Sequence, residues 1–160
     1  MYEFAPDPHA PKGEVYRDLC LAAQALVDGE PDGVANMANV AALLWQFVPD
    51  LNWAGFYRVV GDELVLGPFI GKPACIRIPF GRGVCGTAAA SGTTQLVPDV
   101  HAFPGHIACD AESASELVVP VLRDGVVIAV IDLDSPSLAR FDAQDAAGIE
   151  ALAALLAEAI

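Results

Sequence analysis

Apolar residues recur at helical spacing in three stretches, and between them fall in short runs that read as strands. From residue 13 to 27 they sit at Val15, Leu19, Ala22 and Leu26, one stripe of a helix that Gly29 can end. A second helix starts near Asp32, a side chain suited to an N-cap, carries Met37, Ala41, Leu44 and Val48 on one stripe, and stops at Pro49. The last begins at Asp142, with Asp145 in the first turn where the helix dipole favours an acid; Ile149, Leu152, Leu156 and Ile160 form its apolar face. Residues 53–60, 63–66, 75–80, 94–97, 116–122 and 126–134 read as strands. The last two are apolar on both faces, so both sides of that part of the sheet are covered. Helix, helix, strands, helix is an α+β order rather than the alternation of a parallel sheet.

A chain of 160 residues predicts one domain, here 13–160, after an extended lead-in over 1–12 that holds Pro6, Pro8 and Pro11. With 54% hydrophobic and 18% charged residues it lies outside the disordered range. Eight Lys and Arg against 21 Asp and Glu leave a net charge of −13, which argues against nucleic acid and anionic lipid as partners. No apolar run reaches the length of a membrane span, and the first residues lack the basic and apolar segments of a secretion signal. The cytoplasm, with four free thiols, is the expected setting.

Three groups of residues could carry chemistry. Gly81-Arg82-Gly83-Val84-Cys85-Gly86 matches GxGxxG, but only about a dozen residues separate it from the next strand, too few for the crossover helix of a dinucleotide site. A turn that opens a helix would place Cys85 at a positive dipole end, where a thiol ionises more readily; alternatively Cys85 is a small residue buried beneath the turn. The aperiodic stretch 98–115 holds His101, His106, Cys109, Asp110 and Glu112, the texture of a lid or binding loop. His101, His106 and Cys109 resemble half a zinc site without its CxxC pair; otherwise His106 sits near Cys109 and favours its thiolate. In Val130-Ile131-Asp132-Leu133-Asp134 the two aspartates share a strand face. A two-residue Asp124-Gly125 turn would set Glu116 opposite Leu133, away from them, whereas a three-residue loop would set it opposite Asp132. The sulfurs of Cys75, Cys85 and Cys109 could converge on one pocket, a redox arrangement in a reducing compartment, while Cys20 reads as a core residue.

Several motifs together resemble a known family: Asn52-Trp53-Ala54-Gly55-Phe56-Tyr57, Leu66-Gly67-Pro68-Phe69, Ala74-Cys75-Ile76-Arg77-Ile78, residues 81–88, Gly105-His106-Ile107-Ala108-Cys109-Asp110-Ala111, Ser115-Glu116-Leu117-Val118 and Asp132-Leu133-Asp134-Ser135. The chain resembles the free methionine-(R)-sulfoxide reductases, single GAF domains whose three cysteines generic GAF modules lack. The resemblance implies a six-stranded antiparallel sheet with helices on both faces, a homodimer, and thioredoxin as final reductant, with no metal or organic cofactor. Carried over by position, Cys109 would be the attacking thiol and Cys75 and Cys85 the partners that resolve it through a disulfide. Trp53, with Tyr57, would line the substrate pocket, and Glu116, Asp132 and Asp134 would hold the substrate and assist proton transfer. The exchange of roles between Cys85 and Cys109 stays open. So do two other readings, a GAF module that senses a small ligand without turnover and a thiol or zinc redox switch.

Overall fold

A computed structural model describes residues 4–107 and 110–160. The elements run α1 (Lys12–Val27), α2 (Gly33–Phe47), β1 (Trp53–Val60), β2 (Glu63–Gly71), β3 (Arg77–Pro79), α3 (Gly83–Ser91), β4 (Gln95–Val97), β5 (Ser115–Arg123), β6 (Val126–Ser135) and α4 (Ala143–Leu156), with a single 3-10 turn at Val100–Ala102. The strands form one sheet in the order β3-β2-β1-β6-β5-β4, and every neighbouring pair is antiparallel. No helix among the described residues is long and apolar enough to cross a membrane.

Helix starts follow local chemistry. The Asp32 carboxylate accepts from the Val34 and Ala35 amides. Asp142 accepts from the Gln144 and Asp145 amides while the Asp145 side chain accepts from the Asp142 amide, a reciprocal capping box. α2 gives way at Val48, before Pro49, as expected. Ile160 lies beyond the end of α4 and is only partly buried.

One face of the sheet carries Ala54, Phe56, Leu117, Val119, Ile131 and Leu133 and packs against α1, α2 and α4. Helices α1 and α4 cross closely because Gly148 lies against the Tyr16 ring. The Tyr16 hydroxyl donates to buried Asp145 at 2.7 Å, and Lys12 and Arg140 complete that carboxylate's partners. The opposite face carries Trp53, Tyr57, Val118 and Val130 and is covered by α3. This second, smaller core builds the site.

Two strands differ from their expected extents. β2 continues to Gly71 through Gly67-Pro68, because a register shift between Gly55 and Tyr57 puts Pro68 at an irregularity where its missing donor costs no ladder bond. β3 is confined to Arg77–Pro79, so Cys75 precedes it in irregular backbone.

Candidate active site

The β5–β6 hairpin settles the placement of the three acids in a way that neither expected loop does. Arg123 pairs with Val126 around a two-residue Asp124-Gly125 turn in which both residues have positive φ. That turn alone would set Glu116 opposite Leu133. Between Leu122↔Val127 and Val121↔Ala129, however, Ile128 is left over as a bulge, and the register advances by one residue. Glu116 consequently faces Asp134, and Val118 faces Asp132. Across β1, Trp53 pairs with Asp134, Gly55 with Asp132 and Tyr57 with Val130. Trp53, Tyr57, Glu116, Asp132 and Asp134 therefore share one face.

Trp53 is buried and stacks with Phe69 on one side and Tyr57 on the other, at centroid distances of 5.1 and 5.9 Å. Its indole N–H donates to the Lys72 carbonyl at 3.1 Å, which fixes the ring. α3 lies across the acids. Gly86 permits this approach, since a Cβ there would stand 2.4 Å from the Pro79 carbonyl oxygen. The helix delivers the Cys85 thiol to 3.2 Å from Asp132 Oδ2 and 4.0 Å from Glu116 Oε1. The Cys85 sulfur and oxygens of Glu116 and Asp132 lie within 4.8 Å of one another, a group compact enough for a metal ion. Asp132 Oδ1 is buried, and among the described residues no donor other than its carboxyl neighbour Glu116 is placed to reach it.

The electrostatics follow from this crowding. Burial raises the pKa of Glu116, Asp132 and Asp134 well above the usual carboxylate range. Repulsion adds to it, from Asp134 on Glu116, from Glu116 on Asp132 and from Asp132 on Asp134. The cluster holds protons where isolated acids would have lost them. Burial, then Asp132 and Glu116, likewise push the Cys85 thiol up. The expected acidification of Cys85 at a helix start does not occur: it is the third residue of α3, but desolvation and the neighbouring carboxyls outweigh the dipole. Cys85 is a free thiol that donates to Asp132.

The loop residues divide. His106 places Nε2 3.6 Å from Glu116 Oε2, and burial lowers its pKa. It therefore faces the acids as neutral imidazole. Asp110 accepts from Asn52 and the Glu112 amide and pairs with Lys72, tying the loop to the β2–β3 connection. His101 is exposed and belongs to the Val100–Ala102 turn; neither histidine joins the compact thiol–carboxyl group, and the zinc alternative, which needs Cys109, falls outside the described residues. Cys109 lies outside the described residues. Cys75 is disulfide-bonded and packs on the same core as Cys85. Cys20 is half-buried at the edge of the larger core, and burial raises its pKa.

Arg82, Cys85, His106, Asp110, Glu116 and Asp134 border a cavity of about 30 Å³, room for roughly one or two waters. Polar residues that the sequence reading passed over complete the setting. Asn52 donates to Ser113 and Asp110, and Ser113 also hydrogen-bonds Asp134. Asn52 stands just before β1, inside a quoted motif, and that position was its only signal.

A curled antiparallel sheet with this helix arrangement defines a GAF domain, and residues 35–160 match the GAF domain family. A free methionine-R-sulfoxide reductase of Escherichia coli is 51% identical, over 91% of this chain and 88% of that protein. One of Saccharomyces cerevisiae is 46% identical, over 91% and 85%. The X-ray structure of the Neisseria meningitidis free methionine-R-sulfoxide reductase in complex with its substrate superposes with a TM-score of 0.93 at 47% identity, covering 98% of this chain and 94% of that one. The chain belongs to the free methionine-R-sulfoxide reductase family of GAF domains.

Proposed function

We propose that this protein reduces free methionine-(R)-sulfoxide to methionine, with its cysteines as reductant and a protein dithiol of the thioredoxin type restoring them. The observation that carries the reading is the trio Glu116, Asp132 and Asp134, the first two buried and the third half-buried, all with raised pKa values beside the aromatic wall of Trp53 and Tyr57. A thiolate attacking the sulfoxide sulfur can displace its oxygen only if that oxygen is protonated. A carboxyl that keeps its proton near neutrality supplies it. An ionised carboxylate of the same group meets the substrate ammonium, which a methionine inside a peptide does not offer. Trp53 and Tyr57 present apolar surface to the methylthio end.

Cys109 is the attacking thiol in this reading. Cys85 is ill suited to the part, because burial and two carboxyls keep it protonated; its role is to donate a hydrogen bond to Asp132 and orient it. After attack the protonated oxygen passes to the Cys109 sulfur as its bond to the substrate sulfur breaks, so that methionine leaves with the electron pair and Cys109 becomes a sulfenic acid. The thiol of Cys75 condenses with it, water leaves, and a disulfide forms, the state in which Cys75 is found. Reduction by thioredoxin closes the cycle. The cavity is smaller than the amino acid, so its wall has to open to admit it. The reading includes a homodimer working in the cytoplasm, where thiols are kept reduced.

The test supplies separate R and S epimers of free methionine sulfoxide, and a peptide containing the sulfoxide, with dithiothreitol as electron source. Methionine should form from the free R epimer alone. Absence of methionine, with a small molecule retained by the purified protein, would favour a ligand-sensing module instead.

A further inference from the structure

The charge of this chain is distributed unevenly. Residues 64–98 contain no Asp or Glu, although the whole chain has 21, and they hold Lys72, Arg77 and Arg82, three of its eight cations. This segment folds into β2 beyond its first residue, the edge strand β3, helix α3 and β4. At its centre is Cys75, half-buried and disulfide-bonded. The next residue, Ile76, is 70% exposed, and Phe80, on the far side of β3, is 37% exposed. Lys72 is occupied by Asp110 and Glu112, and Arg77 by Glu63. Arg82 has no ion pair among the described residues. A locally neutral surface, Lys72, Arg77 and Arg82 set against Asp110, Glu112 and Glu63, with two exposed apolar side chains, thus lies around a disulfide sulfur on a protein of net charge −13.

We infer that this face, Ile76 and Phe80 flanking β3 beside Cys75, is the docking surface for an acidic protein dithiol. The inference rests on the proposed function for why the disulfide must be reduced. An acidic protein is repelled by most of this molecule and meets the least opposition here, where the charges of Lys72 and Arg77 are balanced by their acids and Arg82 offers one complementary charge. Ile76 supplies apolar contact next to the reacting atom. The partner's thiolate attacks Cys75 Sγ, and the sulfur bonded to Cys75 leaves as a thiolate and takes up a proton. The partner's second thiol then attacks the mixed disulfide and releases Cys75 as a thiol. Two electrons have moved, and the partner departs as a disulfide.

The experiment follows reduction of the oxidised full-length protein with no sulfoxide present, by release of its thiols, using either a purified thioredoxin of acidic pI or dithiothreitol. Ile76→Glu should slow the thioredoxin reaction by about tenfold, because a charge on an apolar contact in a repelling field weakens docking. The dithiothreitol reaction should stay within about twofold, since a small reagent needs no docking surface. Phe80→Glu should act in the same direction. Val126→Glu adds the same charge at the exposed hairpin tip and should leave both reactions unchanged. Equal slowing by Ile76→Glu and Val126→Glu, no slowing by either, parallel loss with dithiothreitol, or failure of thioredoxin to reduce the wild type would each overturn the inference. Normal docking kinetics in a protein that forms no methionine would instead remove the proposed function and leave the docking surface standing.

Discussion

Asp132→Asn should make the protein more stable at pH 8 while abolishing its proposed turnover. The carboxylate oxygens of Asp132 and Glu116 lie no more than 4.8 Å apart. Two unit charges at that separation, in an effective dielectric of about 20, repel by about 3.5 kcal/mol. The wild type limits this penalty by retaining a proton, so about 1–2 kcal/mol should be recovered when one carboxyl is replaced by an amide of the same shape. The amide oxygen can still accept from Cys85, and its NH2 can donate to Glu116. For a domain of this size the gain corresponds to a rise in Tm of about 2–8 °C. The pH dependence is diagnostic. Asp132 holds its proton longer in the fold than in the unfolded chain, so wild-type stability falls as pH climbs from the ordinary carboxylate range toward the raised value. The advantage of the variant should therefore grow between pH 4 and pH 8 and nearly vanish at the acidic end. Thermal melts of both proteins across that range give the answer. A variant that melts lower at pH 8, or a difference that does not change with pH, would refute the picture of carboxyls held together at a cost to the fold.

Under the proposed cycle, Cys109→Ser should abolish methionine formation with any reductant, whereas Cys75→Ser should chiefly impair turnover driven by thioredoxin and spare that driven by dithiothreitol. Cys85→Ser should retain partial activity; its complete loss alongside full activity in Cys109→Ser would exchange the roles. The rate of the wild type should decline as pH rises through the raised range of the acid trio, because the proton donor is lost, and kcat measured against pH would show a flat profile if no such donor acts. Tyr16→Phe removes a 2.7 Å hydrogen bond to buried Asp145 and should cost about 1.5–3 kcal/mol in denaturant unfolding. Gly148→Ala would bring a Cβ to 2.2 Å from Tyr16 Cγ, and forcing α1 and α4 apart should cost about 1–3 kcal/mol or more.

How far the sequence discloses this architecture depends on how local each cause is. Asp32 and Asp142 announce their helices because a cap is satisfied within three residues, and 53–60 reads as β1 without error because its apolar run is bounded by turn residues. Trp53, Tyr57, Glu116, Asp132 and Asp134, which share one face of the sheet, stand out in the sequence as candidates. Their mutual placement does not, because it depends on Ile128, one apolar residue in an apolar run, and such a bulge leaves no compositional trace. Cys85 shows the same limit from the other side. Its helix position is visible locally, but the carboxyls that govern its protonation arrive from strands 31 and 47 residues away. The Tyr16–Asp145 contact, 129 residues apart in the chain, was likewise beyond any local pattern.

The leftover residue in β6 gives the hairpin one position at which a change of chain length need not reach the site. Deleting Ile128, at the outer end of the hairpin, would leave a regular ladder of acceptable composition, and nothing near the acids would have been touched. Glu116 would keep Asp134 as its partner, because Val121↔Ala129 would follow Leu122↔Val127 directly and every later pair would stand as before. Loss of the one bulge residue should therefore leave the acids aligned, so that where the hairpin changes length, more than the identity of the residues at the tip, decides whether a shortened version keeps its chemistry.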